Sequence, residues 1–197
     1  MSDSTTSRLL KEEKKQIRRE ALGKRSSLPE VQRIEYALNL AEFAEDLGDV
    51  RGKIVSGFWP IRDEIDPRPL MARLKELGAA LCLPVVIGDE LEFRSLGDGS
   101  NLEPSGFGTY APGASASVVL PDVLLVPLAA FDERGHRIGY GRGFYDRALT
   151  KLAECKAVQA FGLAFSCQQV KEVPAEPHDR LLDGVLTENG PLRIIRK

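Results

Sequence analysis

The strongest constraint on the fold is an uninterrupted apolar run, Val123 to Phe131. A strand that alternates in polarity buries one face. A run with no polar position buries both, as strands do inside a parallel sheet covered by helices on each side. The run leads into a turn at Asp132-Glu133-Arg134-Gly135, then three alternating glycines, Gly139, Gly141 and Gly143, then Phe144-Tyr145-Asp146-Arg147, which reads as the first turn of a helix. Strand, glycine loop and helix start together present backbone N–H groups and the positive end of a helix dipole to an anion. Without a Cβ, the main chain comes within hydrogen-bonding distance of phosphate oxygens. The order is G-x-G-x-G, neither the dinucleotide G-x-G-x-x-G nor the G-x-x-x-x-G-K-[ST] loop. A plain glycine turn satisfies the spacing equally well. Arg137, Tyr140, Arg142, Tyr145 and Asp146, all within ten residues, favour a ligand, because a structural turn does not need them.

Around this stretch helices and strands alternate. A charged helix is expected from about Arg8 to Lys24, with Leu10, Lys14, Ile17 and Ala21 on one stripe and Arg18 at its edge. Ser27-Leu28-Pro29-Glu30 is a capping box that starts a second helix with apolar positions Val31, Ile34, Leu38, Ala41 and Phe43, ending at Gly48. Lys53 to Trp59 reads as a strand, 60–64 as a loop, and Asp66-Pro67 as the cap of a third helix that stops at Gly78. Ala80–Ile87 and Glu90–Leu96 form a hairpin around Gly88-Asp89, and Gly97 to Pro112 is a long loop. Phe144 to Cys155 is helical, Val158 to Phe165 a strand and Val173 to Asp183 a polar loop. Gly184 to Ile195 is a hairpin turning at Asn189-Gly190. The expected fold class is α/β: one domain over residues 1–197, with 1–7 disordered, built on a mainly parallel sheet with helices on both faces. Ligands of such sheets bind beyond the carboxyl ends of the strands. Three loops qualify: 59–66, 132–145 and 166–180.

Composition removes several classes. A net charge of −2 over 197 residues gives no single-signed field for nucleic acid or an anionic membrane. The longest apolar run is far short of the ~20 residues that span a bilayer. The polar start, MSDSTTSRLLKEEKKQ, is no secretory signal. Cys82, Cys155 and Cys167 are odd in number and lack metal spacing, so they read as reduced thiols of a cytoplasmic protein. Two histidines supply a zinc site or a Ser-His-Asp triad poorly.

Individual residues carry two readings each. Lys14 and Arg18, four apart, either snorkel on a solvated face or aim their charges at phosphates bound elsewhere. Trp59 is either a core aromatic or a cleft wall that covers a flat ring. Asp66 is a cap. Glu64 has no capping role, and a carboxylate accepts two hydrogen bonds from an amidine-like edge such as that of a pterin. His178 is a surface residue or stands behind the site. Asp179 is either a cap or, paired with Asp146, one of the two acids that Mg²⁺ takes beside phosphates. A magnesium-nucleotide site follows from the second set of readings, but spacing alone does not name the other substrate.

Val126-Pro127 through Arg147 is similar to V-P-x-x-x-F-D-x-x-G-x-R-[LI]-G-x-G-[GK]-G-[YF]-Y-D, and on this motif the chain resembles the 5-formyltetrahydrofolate cyclo-ligase, or 5,10-methenyltetrahydrofolate synthetase, family. Lys14-x-x-x-Arg18, Arg62-Asp63-Glu64-Ile65 and Val173-Pro174…His178-Asp179…Asp183…Thr187-Glu188 follow in family order. The resemblance implies a fold similar to the sugar-phosphate isomerase and CoA-transferase groups. It also implies ATP- and Mg²⁺-dependent closure of 5-formyltetrahydrofolate to 5,10-methenyltetrahydrofolate, with release of ADP and phosphate. The implied partners are these small molecules; composition argues against nucleic acid and membrane, and a monomer is the expected state. Carried over by position, Lys14, Arg18, Arg137, Ile138, Gly139, Tyr140, Gly141, Arg142, Gly143, Phe144 and Tyr145 hold ATP. Asp146 and Asp179 hold Mg²⁺. Trp59, Glu64, Tyr140, Gly141, Arg142, Gly143 and Phe144 contact the folate, and Arg142 and Tyr145 are the expected catalytic pair. Arg142 stands where glycine or lysine is frequent, Phe144 where tyrosine is frequent, and Val85-Val86 where some members place an aromatic against the pterin. Phosphoryl transfer to the formyl oxygen would make phosphate the leaving group when N10 attacks the same carbon. That chemistry needs positioning and charge neutralisation more than a protein nucleophile. The competing expectation is a non-catalytic module that binds folate or nucleotide without releasing ADP.

Overall fold

The computed structural model describes residues 3–97, 99–106, 108–176, 179–192 and 194, with side chains from residue 8 onward. Its helices are α1 (Asp3–Ser26), α2 (Glu30–Glu42), α3 (Arg68–Glu76) and α4 (Phe144–Cys155). Its strands are β1 (Ile54–Ser56), β2 (Ala80–Ile87), β3 (Glu90–Ser95), β4 (Leu102–Pro104), β5 (Tyr110–Pro112), β6 (Val123–Pro127), β7 (Ala130–Phe131), β8 (Arg137–Ile138), β9 (Gln159–Leu163), β10 (Gly184–Thr187) and β11 (Gly190–Leu192). Seven strands form one sheet in the order β11-β10-β9-β6-β1-β2-β3. From β10 across to β2 every pairing is parallel, and β11 and β3 close the two edges antiparallel. This is the expected α/β class.

The apolar run explains the layering. Val123 and Leu125 of β6 point to the core shared with Ala37 and Leu40 of α2 and with Leu70, Met71 and Leu74 of α3. Leu124 and Val126 point to the opposite core, with Ala148, Leu149 and Leu152 of α4. Successive strand residues face opposite sides, so a strand buried on both needs no polar position. Each such side chain is worth roughly 1.5–3 kcal/mol on burial. A third, small core of Ala21, Ala130, Ile138 and Val173 seats α1 on the β7–β8 turn. The sheet order reverses between β1 and β6, which opens the crevice where ligands bind in such folds.

Several expectations change. α1 runs from Asp3 to Ser26, so the backbone of 3–7 is helical, while residues 1 and 2 lie outside the described residues. α2 buries the other of its two apolar stripes. Ala37 and Leu40 are 3% and 0% exposed, whereas Val31, Ile34 and Leu38 are 75%, 56% and 57% exposed. The small Ala37 fits that stripe against α3 and the sheet, which a stripe of branched residues would hold further off. No side-chain hydrogen bond caps α2 at Pro29. β1 leaves the ladder after Ser56, although Gly57 to Trp59 remain apolar in sequence. A Cβ on Gly57 would stand 2.2 Å from Met71 Sδ, so any larger residue there would push aside the flexible Met71 side chain of α3. The 97–112 segment, expected as loop, contains the β4–β5 hairpin. The C-terminal hairpin turns as expected, with Thr187 opposite Gly190, and Ile195 lies outside the described residues. No helix among the described residues is long and apolar enough to cross a membrane.

Candidate active site

The three expected loops meet at the carboxyl ends of β1, β6 and β9. Buried Gln168, after β9, donates from Nε2 to the carbonyls of Leu128 and Ala129 at 2.9 and 3.0 Å, and its Oε1 accepts the Phe165 N–H at 2.9 Å. Asp132 fixes the turn that launches the glycine loop. Its fully buried carboxylate accepts the N–H groups of Arg134 (2.9 Å), His136 (3.1 Å) and Val173 (2.9 Å), and the Arg134 guanidinium. Burial opposes its charge, but these donors prevail and hold the carboxyl below its ordinary value.

One half of the crevice is built around Glu64, which is buried after β1. Its Oε2 accepts the Ile61 N–H at 2.8 Å, and its Oε1 accepts the hydroxyl of Tyr140 in a short contact. Burial pushes the Glu64 carboxyl up, against the lowering effect of these two bonds. It also pushes the Tyr140 phenol up. Arg62, within the same turn, adopts φ +58°, a left-handed conformation uncommon for a side-chain-bearing residue. Trp59 is half-buried. Its ring centroid lies 5.1 Å from that of Tyr110, and the Arg68 guanidinium lies 5.1 Å from its centroid. An aromatic partner for Trp59 thus comes from β5, while Val86 is 44% exposed.

The other half is built around the glycine loop. Gly141 and Gly143 adopt φ +89° and +64°, so a Cβ at either would be strained. Gly139 has no such φ, and a Cβ there would meet nothing within 4 Å. It therefore faces open space. Arg18 Nε donates to the Gly139 carbonyl at 2.7 Å, and its guanidinium lies beside Gly141. Gly143 starts α4 with no side-chain cap, leaving the first-turn N–H groups to other acceptors. Lys14 Nζ donates to Asp179 Oδ2 at 2.6 Å and Glu176 Oε2 at 2.8 Å. Burial works against the Lys14 charge, but these bonds outweigh it and the ammonium is held above its ordinary value. Arg137 Nη2 donates to Asp146 Oδ1 at 2.7 Å, and the Arg180 N–H reaches the same oxygen at 3.1 Å. Asp146 therefore contacts the residue next to Asp179.

The expected residues divide. Lys14, Arg18, Arg137, Gly139, Gly141, Gly143, Asp146 and Asp179 gather at the glycine loop, and Glu64 and Tyr140 are bonded to each other. Ile138 instead turns its side chain into the small core under α1, and its carbonyl accepts the Ala129 N–H at 2.7 Å. Arg142 is exposed on the loop, whereas the Tyr145 ring packs against the α4 core and burial pushes its phenol up. The expected catalytic pair thus occupies two different environments. Phe144 lies under the Arg147 guanidinium, 5.4 Å from its centroid. His178 lies outside the described residues. Among the described residues, no group of three or more His, Cys, Asp or Glu side chains could hold a metal by itself.

Sequence reasoning missed Arg25, Tyr110 and Glu176, and named Asp63 only as part of the Arg62-Asp63-Glu64-Ile65 motif. Arg25 continues the stripe of Lys14, Arg18 and Ala21 at helical spacing, a signal cut off by ending the helix at Lys24. It is buried and bonds Asp63 and Tyr140. Tyr110 had no signal within a glycine- and proline-bearing stretch.

Comparison with known proteins identifies the family. Residues 10–188 match the model of the 5-formyltetrahydrofolate cyclo-ligase family. The chain is 33% identical over 200 residues to a 5-formyltetrahydrofolate cyclo-ligase of Mycolicibacterium smegmatis, covering 93% of this chain and 97% of that one. It is 36% identical over 145 residues to that of Escherichia coli K12, covering 70% and 79%. The solved structure of Aquifex aeolicus 5,10-methenyltetrahydrofolate synthetase superposes with a TM-score of 0.77 at 27% identity, covering 93% and 94%. Family model, relatives of nearly full length and fold coincide with a glycine loop, two approaching bases and a buried carboxylate at one crevice: the chain belongs to the 5-formyltetrahydrofolate cyclo-ligase family.

Proposed function

We propose that the two halves of this crevice bind 5-formyltetrahydrofolate and ATP side by side. The chain is a ligase of folate one-carbon metabolism that closes 5-formyltetrahydrofolate to 5,10-methenyltetrahydrofolate. Our reading of how it does so rests on one observation. The loop with left-handed Gly141 and Gly143 opens onto an uncapped α4 N-terminus, with Arg18 alongside. Oriented N–H groups, a helix dipole and a guanidinium form a triphosphate cradle. Lys14, Arg18, Arg137, the main chain of 139–143 and the first turn of α4 would hold ATP. Trp59, Glu64, Tyr140, Phe144 and the same glycine loop would hold the folate, with Glu64 accepting from the donor edge of the pterin.

The γ-phosphoryl group passes to the formyl oxygen with release of ADP, N10 attacks the formyl carbon and gives up its proton to solvent, and phosphate leaves as the C–O bond breaks. Arg142, exposed on the loop between the two substrates' places, would neutralise charge on the transferring group. Tyr145, whose phenol burial holds in its protonated form, would act as a donor and not a base. Asp146 and Asp179 suit Mg²⁺, which takes one or two carboxylates and completes its shell with water and phosphate oxygens. Oδ2 of Asp146 has no donor among the described residues. Such an ion would offset phosphate charge. A monomer acting on small molecules in the cytoplasm completes the reading.

The test is the near-ultraviolet absorbance of the methenyl product after incubation with 5-formyltetrahydrofolate and Mg-ATP, with ADP measured in parallel. Product and ADP in equal amounts are expected. Saturable binding of either substrate without ADP by folded protein would make the chain a binding module.

A further inference from the structure

Arg25 stands at the last turn of α1, 3% exposed, on the stripe that carries Lys14 and Arg18. Its side chain forks. Nε and Nη2 donate to Asp63 Oδ1 at 3.1 and 2.6 Å, and Nη1 donates to the Tyr140 hydroxyl oxygen at 2.8 Å. A guanidinium only donates, and a phenol has one proton. With Arg25 donating to the Tyr140 oxygen, that proton is directed to Glu64 Oε1. The Ile61 N–H takes Oε2 at 2.8 Å. The chain of bonds therefore has one direction, from Arg25 through Tyr140 to Glu64, and both Glu64 oxygens act as acceptors. The groups that face Glu64 are Tyr140 from the glycine loop, Arg25 from α1, Asp63 from its own loop and Tyr145 from α4. Burial and Asp63 oppose a charge on Glu64, while Tyr140, the Ile61 N–H and Arg25 favour it. Arg25 is the one cation in that set.

We propose that Arg25 is a positioning residue for folate recognition: acting through Tyr140, it keeps Glu64 an ionised, acceptor-only group toward the donor edge of the pterin. The inference rests on the folate reading of the crevice. The simpler role, in which Arg25, with Ser26, only ties α1 to Asp63, makes a different prediction about pH. Loss of a cation near Glu64 raises its folded-state pKa, so the acceptor is lost at a higher pH than in the wild type. A structural tie, once cut, weakens binding at every pH alike.

The experiment is the pH profile of kcat/KM for 5-formyltetrahydrofolate at saturating Mg-ATP, from about pH 5 to about pH 8.5. It compares the wild type with Arg25→Met, Arg25→Lys and Tyr140→Phe, each checked for folding by thermal melting. Arg25→Met and Tyr140→Phe are both expected to move the acid limb upward by about one pH unit, a tenfold rise in folate KM on the acid side. The KM for ATP should stay within about twofold, and Arg25→Lys should recover only part of the shift, because an ammonium keeps the charge but not the fork that reaches both Asp63 and Tyr140. Should Arg25→Met not fold, Tyr140→Phe decides the matter, since it leaves the Arg25–Asp63 tie in place. An unshifted limb in an active wild-type background, a loss equal at all pH values, or an equal rise in the KM for ATP would overturn the proposal. A wild-type chain that makes no methenyl product would overturn the folate reading with it.

Discussion

The two halves of the crevice are both built from polar side chains, but they are finished to different degrees. Around Glu64 every bond runs one way, and the carboxylate has donors on both oxygens and, among the described residues, no cation in direct contact. Around the glycine loop each acid is paired with a base, Asp179 and Glu176 with Lys14, Asp146 with Arg137. The first arrangement is preorganised for a flat ligand that brings donors. The second is internally ion-paired, and on the proposed reading a bound polyanion would exchange partners, with phosphates drawing on Lys14 and a cation on the carboxylates. Breaking a partly buried pair leaves a charge unpaired, at a cost on the order of 1–3 kcal/mol until a new partner arrives. On the proposed reading, one half would recognise by shape and fixed direction, and the other by charge exchange.

The largest test of that contrast is Asp146→Asn. Activity should fall about a thousandfold in the methenyl absorbance assay, because Asn keeps an acceptor for Arg137 but loses the charge that pairs with it and that the proposed cation needs. The melting temperature should change by no more than about 5 °C, since the side chain is part-exposed and removed from both main cores. Retained activity would remove the metal role. Glu64→Gln comes next: the folate KM should rise about a hundredfold, with the KM for ATP unchanged, because a charged acceptor becomes neutral and half donor. Lys14→Met should do the reverse on a smaller scale, raising the KM for ATP about tenfold and leaving the folate KM alone. If either substitution moved both constants together, the two halves would be one unit and the comparison would fail.

The smallest expected effect lies in the scaffold that both halves share. Asp132 titrates below its ordinary value, so it stabilises the fold above its unfolded value of about 3.8, and this contribution is lost as pH falls through the lower folded value. Asp132→Asn should therefore lose stability less steeply than the wild type on acid titration, while melting a few degrees lower at neutral pH. Denaturant melts at several pH values would measure this, and parallel curves would dismiss Asp132 as the anchor of the turn.

Much of the frame was legible along the chain. The β2–β3 hairpin turns at Gly88-Asp89 and α4 starts at Phe144, because glycine turns and helix starts are local signals. Trp59 and Glu64 were legible as candidates by their place after a strand. The pairing of Lys14 with Asp179 was not, because the two are 165 residues apart and neither calls for the other locally. Arg25 was missed for a smaller reason. Helix ends are uncertain by a residue or two, and its stripe is visible only if the helix is carried one residue further.

The chain by itself determined that a strand without polar positions would sit between two helical layers, and that a glycine loop would follow it. Those outcomes depend on periodicity and on backbone freedom, which are properties of neighbouring residues. Only the tertiary structure decided which stripe of α2 packs, since both are apolar and the choice depends on the surface opposite. It alone turned Ile138 into the core and placed Arg25 behind Tyr140. Packing complementarity and the direction of a hydrogen-bond chain belong to groups that meet across the fold, and no local pattern encodes where they meet.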